Sequence, residues 1–414
     1  MHKLRWSLVF VAGLLWGSSV KAGLEDYDPN LPPVKIRVLT VGAWQNLQQK
    51  NNNGTLPQIE SGFQAALANF ELFTSVQPGI DVYADFYLSS RRHLGTLYAR
   101  EGYLMISKLP ENLNLWNIND KIFKHFRIKG GHFELDFGHQ HLYRSDNADI
   151  YRNPLVGNYV VDPNTVEGGV ELLGDFDWLH LVGGIGNGVT TEKFSSGRAY
   201  SRHGKVLVEP ESKRFFLAGS VYRVHHSSKS TTELFTALRS GSRYAGVFGP
   251  NQLDSDPDAG QVFMGRGVDV LAYQYDGGVK ISRLSLSGLW GWYRDSDTNN
   301  GLTAGTPMEK WTYWGTEAKV ELTERLWVAS RYSAARSSII RGVLQDGRVG
   351  RTQVGFGYKI ADGMLFKAEY VDQRYRDFKG TNQIYIGAQD PRFRGFITEF
   401  GVKFGATAFS NRTE

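Results

Sequence analysis

Four charged residues in one polar stretch have the types and spacing to set the ion preference of a pore. The stretch of residues 139–165 is polar, rich in glycine and aspartate and without sustained periodicity, and it carries Arg144, Asp146, Asp149 and Arg152. If it folds into the narrowest part of a channel, a dehydrating ion meets these charges at close range, and their arrangement sets selectivity. The alternative is that the same residues solvate an exposed loop. The sequence leaves both readings open.

A second set of candidate selectivity residues lies on the segment just before that stretch. Arg127 and Lys129 alternate along residues 126–138, but the later polar residues His132, Glu134 and Asp136 fall on the opposite face. A β-bulge at Gly130-Gly131 would bring both groups to one face. We therefore predict a bulge there, with Arg127 and Lys129 beside the constriction.

Other chemistry-bearing patterns are weaker, and none assigns a site. His139 and His141 could ligate one metal ion together with His132 and Asp136, but strand spacing does not ensure converging geometry, and solvated or lumen-lining side chains are the simpler reading. The glycine-rich run 183–188 has no following helix pattern or Lys-Ser/Thr, which favours a strand end or turn over a phosphate loop. No Gly-x-Ser-x-Gly elbow appears. We assign no catalytic residue, metal site or cofactor.

The first residues predict export. Lys3 and Arg5 precede a mostly apolar run from Trp6 to Trp16, and the small residues around Lys21 suit signal peptidase. We expect residues 1–22 to be a cleaved signal peptide and residues 23–33 to be a short periplasmic lead-in. The apolar run is short for a membrane-spanning helix.

Composition narrows the class of protein. The chain has no cysteine, which excludes a disulfide-stapled secreted scaffold. Of its formal net charge of +5, three charges belong to Lys3, Arg5 and Lys21, so the mature chain is nearly balanced and a nucleic-acid partner is not indicated. Aromatic residues make up 13% of the chain beside 47 glycines. Aromatic girdles and tight turns would explain both.

The elements that must position the charges are predicted to be β-strands. Stretches of about ten residues alternate with period two, and after residue 22 no apolar run is long enough for a helical membrane span. Residues 312–322 show the pattern most clearly, with Trp314, Ala318 and Val320 on one face and charged residues on the other. Residues 365–373 repeat it. The predicted lumen-facing residues are Glu317, Lys319, Glu321, Arg331, Lys367 and Glu369.

The connections between these strands alternate in length. Short turns at 323–325 and 360–363 contrast with long polar stretches at 139–165, 195–211, 249–265 and 295–310. Short turns at one end and long loops at the other are typical of a closed antiparallel transmembrane β-barrel. A soluble β-sandwich also alternates, although it exposes its charged face to bulk water. The fold class we predict is all-β, a barrel over residues 34–404 followed by a short tail, 405–414.

Two segments carry a resemblance to a known family. Phe396, Thr398, Phe400, Val402 and Phe404 form an alternating strand that resembles the C-terminal assembly signal of Gram-negative outer-membrane barrels, except that ten residues follow it. Residues 126–138 resemble the strand before the constriction loop of porin-type channels, broadly similar to phosphate-selective and other substrate-specific porins. From the length of the chain and the spacing of its strands we expect about sixteen strands, within a range of roughly fourteen to eighteen.

The resemblance also implies function and partners. It implies a channel of the cell outer membrane, without enzymatic activity, for passive diffusion of small polar or anionic solutes. Implied partners are outer-membrane lipid and lipopolysaccharide, the permeant solute, the barrel assembly machinery acting on the C-terminal strand, and a homotrimer. Two alternatives stay open: a barrel for polysaccharide export or surface carbohydrate binding, and an outer-membrane hydrolase.

Overall fold

The computed structural model describes the chain in several ranges. These are residues 32–52, 56–90, 97–163, 166–188, 200–225, 234–235, 243–247, 260, 262, 264, 269–296, 307–340, 343–344, 346–377 and 390–408. The predicted signal peptide and nearly all of the predicted lead-in lie outside these ranges. None of the helices in the described ranges is long and apolar enough to cross a membrane.

In the described ranges, sixteen long antiparallel strands form one closed barrel, as predicted. They are β1 (Val34–Lys50), β2 (Leu67–Gln77), β3 (Ile80–Ser89), β4 (Tyr98–Ile106), β5 (Phe126–Glu134), β6 (Val166–Phe176), β7 (Leu179–Gly186), β8 (Tyr200–Val208), β9 (Phe215–His225), β10 (Asp269–Ile281), β11 (Leu284–Ser296), β12 (Pro307–Glu321), β13 (Leu326–Ile340), β14 (Arg348–Ala361), β15 (Met364–Arg376) and β16 (Arg392–Ala408). Two short pieces, Gly62–Phe63 and Val343–Leu344, extend the sheet.

The barrel closes through β1 and β16, which pair along their whole length from Val34 with Ala408 to Lys50 with Arg392. Closure removes the exposed sheet edges, so the backbone groups of every wall strand find partners. The last strand runs to Ala408, four residues past Phe404, the predicted end of the barrel.

The two ends of the barrel differ, as the spacing predicted. At the short-turn end, two-residue connections such as Ser282-Arg283 and Asp362-Gly363 join neighbouring strands. Gly363 has φ +77°, a left-handed conformation that glycine adopts without strain. One exception is the 107–125 connection at this end, which contains short helical turns at Glu111–Leu113, Leu115–Asn117 and Asn119–Phe123. The longer connections gather at the other, long-loop end.

Alternation divides each strand into an outer and an inner face. On β12 the side chains of Trp311 and Tyr313 are buried inside the barrel, whereas Trp314 is exposed on the outer wall. Outer-wall aromatic rings pair across strands, among them Trp314 with Tyr332 and Tyr275 with Trp290. This exposed apolar surface is what a lipid-facing barrel wall requires.

The core of the molecule lies inside the long-loop half of the barrel. Inner-face side chains there, including Tyr222, Tyr293 and Trp311, pack in one apolar cluster with Phe235 and Met264 from the 226–268 connection. Because these residues are almost fully buried, the lumen at this level is filled by side chains.

Candidate functional site

The connection between β5 and β6 folds into the lumen, and we call residues 135–163 the inner segment. It contains the short turn Gln140–Tyr143, and it bonds with opposite parts of the wall: the His139 backbone amide donates to Asp276 Oδ2 on β10 at 3.0 Å, and the Asn147 side-chain amide donates to Asn69 Oδ1 on β2 at 2.7 Å. The segment therefore crosses the lumen, which the charge pattern of residues 139–165 had left open.

The bulge predicted at Gly130-Gly131 is wrong. β5 pairs with β4 and β6 in continuous register, so Arg127 and Lys129 stay on the same face as Phe133, and His132 stays on the opposite face. Glu134 reaches the lumen because the chain leaves the wall there, and Asp136 follows it inward to pair with Lys205 at 2.5 Å. Glu134 and Asp136 therefore reach the lumen because the chain leaves the wall after β5, and not because a bulge is inserted in the strand.

Arg127 and Lys129 lie at different levels of the lumen. Arg127 pairs with Asp175 near the short-turn end, where both side chains are more than 40% exposed. Lys129 lies deeper: its Nζ is 3.3 Å from Glu171 Oε2 and 4.1 Å from the centre of the Phe133 ring. Lys129 thus lies beside the inner segment, whereas Arg127 lies at the mouth.

Arg144 forms buried ion pairs that hold the inner segment in place. Its side chain is only 4% exposed, and its Nη2 lies 2.9 Å from Glu134 Oε1 and its Nη1 3.4 Å from Asp162 Oδ2. Burial raises the pKa of Asp162, although the Arg144 guanidinium and the Asn158 amide oppose that shift. Burial alone would lower the pKa of Arg144, but the surrounding carboxylates raise it overall. Arg144 therefore stays charged and holds two parts of the chain together.

Asp146 belongs to the same buried network. It accepts from Tyr87 Oη at 2.7 Å and pairs with Arg100 Nη2 at 2.6 Å. Arg100, buried on β4, also pairs with Glu134. Sequence reasoning missed Arg100, because a shift in the β3–β4 register between Asp85 and Phe86 interrupts its alternation.

Arg152 is the inner-segment cation that solvent reaches. Its side chain is 57% exposed, and its Nε lies 3.6 Å from Asp149 Oδ2. Pairing of such exposed groups contributes little stability, so this guanidinium can interact with a solute. Arg144 is thus buried and Arg152 accessible, whereas Asp146 and Asp149 are both partly exposed, at 14% and 20%.

The predicted wall residues all lie on the inner face, in two groups. Arg331 pairs with Glu317 at 2.8 Å and donates to the Gly157 carbonyl at 2.7 Å. Lys319 and Glu321, joined at 3.0 Å, lie nearer the short-turn end and are more exposed. The first group holds the inner segment, and the second lines open lumen.

Lys367 and Glu369 hold the inner segment from two successive inner positions of β15. Lys367 Nζ donates to the carbonyls of Ile150, Asn153 and Leu155 at 2.9, 3.1 and 2.7 Å. Glu369 Oε2 accepts from the amides of Val156 and Gly157 at 2.8 and 2.9 Å. A side chain at Gly157 would collide with the Tyr244 hydroxyl, so glycine is needed for this close approach.

A second inward connection is tied to the same place. Lys367 Nζ is 2.7 Å from Glu399 Oε1, and Glu399 Oε2 is 2.8 Å from Arg243 Nε; all three side chains are fully buried. Tyr244 donates to Glu369 Oε1 at 2.5 Å. Alternation could have placed Glu399 with Lys367, but no local pattern in the sequence points to Arg243.

Two cavities of opposite charge flank the inner segment. The acidic cavity, about 360 Å³, is lined by more acidic than basic side chains: Glu71, Asp85, Glu101, Glu134, Asp136, Asp146, Asp149 and Glu171 against Arg37, Arg100, Lys129, Arg144 and Arg152. The basic cavity, about 370 Å³, has the reverse balance: Arg152, Lys213, Arg214, Lys280, Lys319 and Lys359 against Glu209, Glu317 and Glu321. Arg152 borders both.

The candidate metal ligands do not converge. His139 is buried with its ring 4.3 Å from that of Phe216. The side chain of His141 lies outside the described residues. Within those residues no group of three or more metal-ligating side chains comes together.

Ser201 and His203 lie side by side on β8 but belong to separate pairs. Ser201 Oγ donates to Glu167 Oε2 at 2.5 Å, and His203 Nε2 lies 2.8 Å from Glu171 Oε1. A serine nucleophile needs its hydroxyl hydrogen-bonded to a base such as an imidazole. Here the Ser201 hydroxyl bonds to Glu167, and the His203 imidazole bonds to Glu171.

Replacing Arg144 with alanine should prevent the inner segment from packing. Glu134 and Asp162 would lose their buried counter-charge, and breaking a buried pair costs about 3–5 kcal/mol. We expect limited proteolysis to cut residues 135–163 in detergent-solubilised Arg144→Ala protein. Arg152→Ala, which removes an exposed cation, is the matched control. Equal resistance of both variants would contradict the structural role of Arg144.

Comparison with known proteins gives a fold rather than a family. No protein-family model and no curated protein matches the chain. Among solved structures, the trimer form of the in-vitro folded outer-membrane protein OmpT of Vibrio cholerae matches at TM-score 0.55 and 12% identity, over 91% of this chain and 100% of that one. The outer-membrane channel DcaP of Acinetobacter baumannii matches at TM-score 0.53 and 10% identity, over 90% of this chain and 96% of that one. OmpF of Salmonella typhi matches at TM-score 0.52 and 10% identity, over 90% of this chain and 97% of that one. The chain has the fold of outer-membrane barrels of the porin type.

Proposed function

We propose that this chain is an outer-membrane channel for passive diffusion of small polar or anionic solutes. The observation that carries the proposal is the inner segment itself, which crosses the lumen with cavities of opposite charge beside it and the accessible Arg152 bordering both. A solute moving past this segment would meet both signs of charge at close range, which is how charged pore linings select ions.

We propose that the described conformation is the closed state of the channel. Side chains fill the long-loop half of the lumen, and buried bonds from Lys367 and Glu369 hold the inner segment in place. Conduction then requires a second arrangement in which the inner connections move aside. Such a two-state element responds to anything that binds its two states unequally.

The same fold supports a proposal for the setting of the channel. We propose the outer membrane of a Gram-negative bacterium, reached after cleavage of residues 1–22, with the long-loop end outside and assembly through the C-terminal strand. The trimer form described for OmpT supports a homotrimer here. We propose no catalytic step. The outer-wall position of aromatic pairs such as Trp314 and Tyr332 favours lipid contact over the carbohydrate-binding alternative.

Replacing Arg152 with glutamate should shift the channel toward cations. Reversing a unit charge about 6 Å from a solute path changes the anion-to-cation permeability ratio by roughly threefold to tenfold after screening by salt. Reversal potentials of purified protein in planar bilayers, recorded across a salt gradient, measure that ratio. Arg325→Glu, on the exposed turn between β12 and β13, is the matched charge reversal away from the cavities.

Two results would count against this proposal. An unchanged permeability ratio in Arg152→Glu would remove the inner segment from selectivity. Absence of any conductance from folded protein, under voltages that open no leak in protein-free bilayers, would contradict the channel function.

A further inference from the structure

Like charges lie directly opposite each other on the outer wall, at the long-loop end. Arg202 of β8 pairs in register with Arg223 of β9, and Arg294 of β11 pairs with Lys310 of β12. All four side chains are exposed. Directly opposed like charges destabilise a sheet, so their recurrence at one level of the barrel points to an anion that neutralises them.

The strongest concentration lies where the barrel closes. Arg374 of β15, Arg392 of β16 and Lys50 of β1 form a row across three neighbouring strands, each opposite the next. Arg376 stands opposite Arg348 one step away. Neighbouring strands are about 4.8 Å apart, so the row is within the span of a single phosphate-bearing group.

One carboxylate is shared within this row. Asp372 accepts from Arg392 Nε at 2.8 Å and from Arg374 Nη2 at 3.0 Å, so two guanidiniums use the same counter-charge. A hollow of about 390 Å³ opens beside them, and its charged lining is four cations, Lys50, Arg374, Arg376 and Arg392, against two carboxylates, Asp377 and Asp390. Arginine forks and lysine ammonium groups are the side chains that recognise phosphate in proteins.

The height of the row identifies the source of the phosphate. Four residues below it along each strand, Tyr370 and Phe396 face each other on the outer wall with tilted rings whose centres are 5.1 Å apart, and Phe396 is 58% exposed. Each two-residue step rises about 7 Å along a strand. The cations therefore begin just above the aromatic belt, where lipid headgroups lie against a barrel.

We propose that these outward cations form a belt that binds the phosphates of outer-leaflet lipid, with Arg374, Arg392 and Lys50 as its main site. The inference is independent of conduction, because the belt is on the outer wall and the cavities are inside. It supplies a concrete site for the lipid partner that the sequence analysis only named.

The experiment measures binding of bisphosphorylated lipid A to the purified full chain in neutral detergent by native mass spectrometry. Arg374→Gln/Arg392→Gln should weaken binding about thirtyfold, since each cation near an anionic membrane surface contributes about a factor of five. Arg202→Gln/Arg223→Gln, at a separate part of the belt, should also reduce the number of lipids retained. Arg283→Gln/Arg325→Gln, on turns at the short-turn end, removes the same net charge and should leave binding unchanged.

Two further probes separate the sources of phosphate. Lipid A lacking its phosphates should bind the wild-type chain no better than the double variant binds the complete lipid, and inorganic phosphate should compete only at far higher concentration. Undiminished binding by folded Arg374→Gln/Arg392→Gln protein would overturn the site. Inorganic phosphate binding as tightly as lipid A would overturn the lipid assignment and make the row a site for soluble anions.

Discussion

If the chain is the channel proposed above, replacing Lys367 with methionine is expected to raise its open probability by roughly a hundredfold. The ammonium group donates to three carbonyls of the inner segment and pairs with Glu399, all without exposure to water. Methionine fills similar space but donates nothing, and losing one partner of a buried pair costs about 3 kcal/mol or more, equivalent to that factor in an equilibrium. Planar-bilayer recording measures the open probability directly.

Lys319→Met is the matched control for this experiment. Lys319 is also an inner-face lysine paired with a glutamate, but it lies in open lumen near the short-turn end. It should change ion preference slightly and leave open probability alone. A heat-dependent mobility shift in detergent electrophoresis verifies that each barrel is folded. If folded Lys367→Met protein opens no more often than wild type, the inner segment is not the moving element.

Replacing Val320 with arginine is expected to lower the folded fraction, whereas Lys319→Arg should assemble normally. Val320 is on the outer face of β12 and Lys319 is on the inner face, one residue away. An arginine on the lipid face costs about 2–4 kcal/mol at the bilayer midplane and about 1 kcal/mol or less near the interface, and Val320 lies toward the interface because β12 ends at Glu321. The folded fraction recovered in the outer membrane, measured by electrophoretic mobility shift, distinguishes the two variants.

The pair is informative because the substitutions place the same side chain at adjacent positions. Equal folded fractions would mean either that the face assignment is reversed or that the outer wall does not meet lipid. Recovery of wild-type protein in the soluble periplasmic fraction would point to the second reading.

The sequence alone determined the wall of this barrel. Period-two alternation assigns every residue of a regular strand to one of two faces, so Glu317, Lys319, Lys367 and Glu369 could be placed inside without coordinates. Strand number and the contrast between turns and loops followed from spacing. Because one face of the wall meets an apolar environment and the other faces the lumen, each strand alternates apolar and polar residues, and that alternation can be recognised within each strand.

Only the tertiary structure decided what the inner face touches. Arg144 and Arg152 have the same side chain in the same polar stretch. Arg144 is buried in an ion pair with Glu134 of the wall, whereas Arg152 faces the open lumen. Arg243 meets Glu399 from a connection far away in the chain. Ion pairs of this kind depend on where a long loop folds back, and residues without a repeating period carry no local signal of that path. The prediction of a bulge was wrong for the same reason. The chain leaves the wall at Glu134, and the packing of residues 135–163 inside the lumen determines that departure.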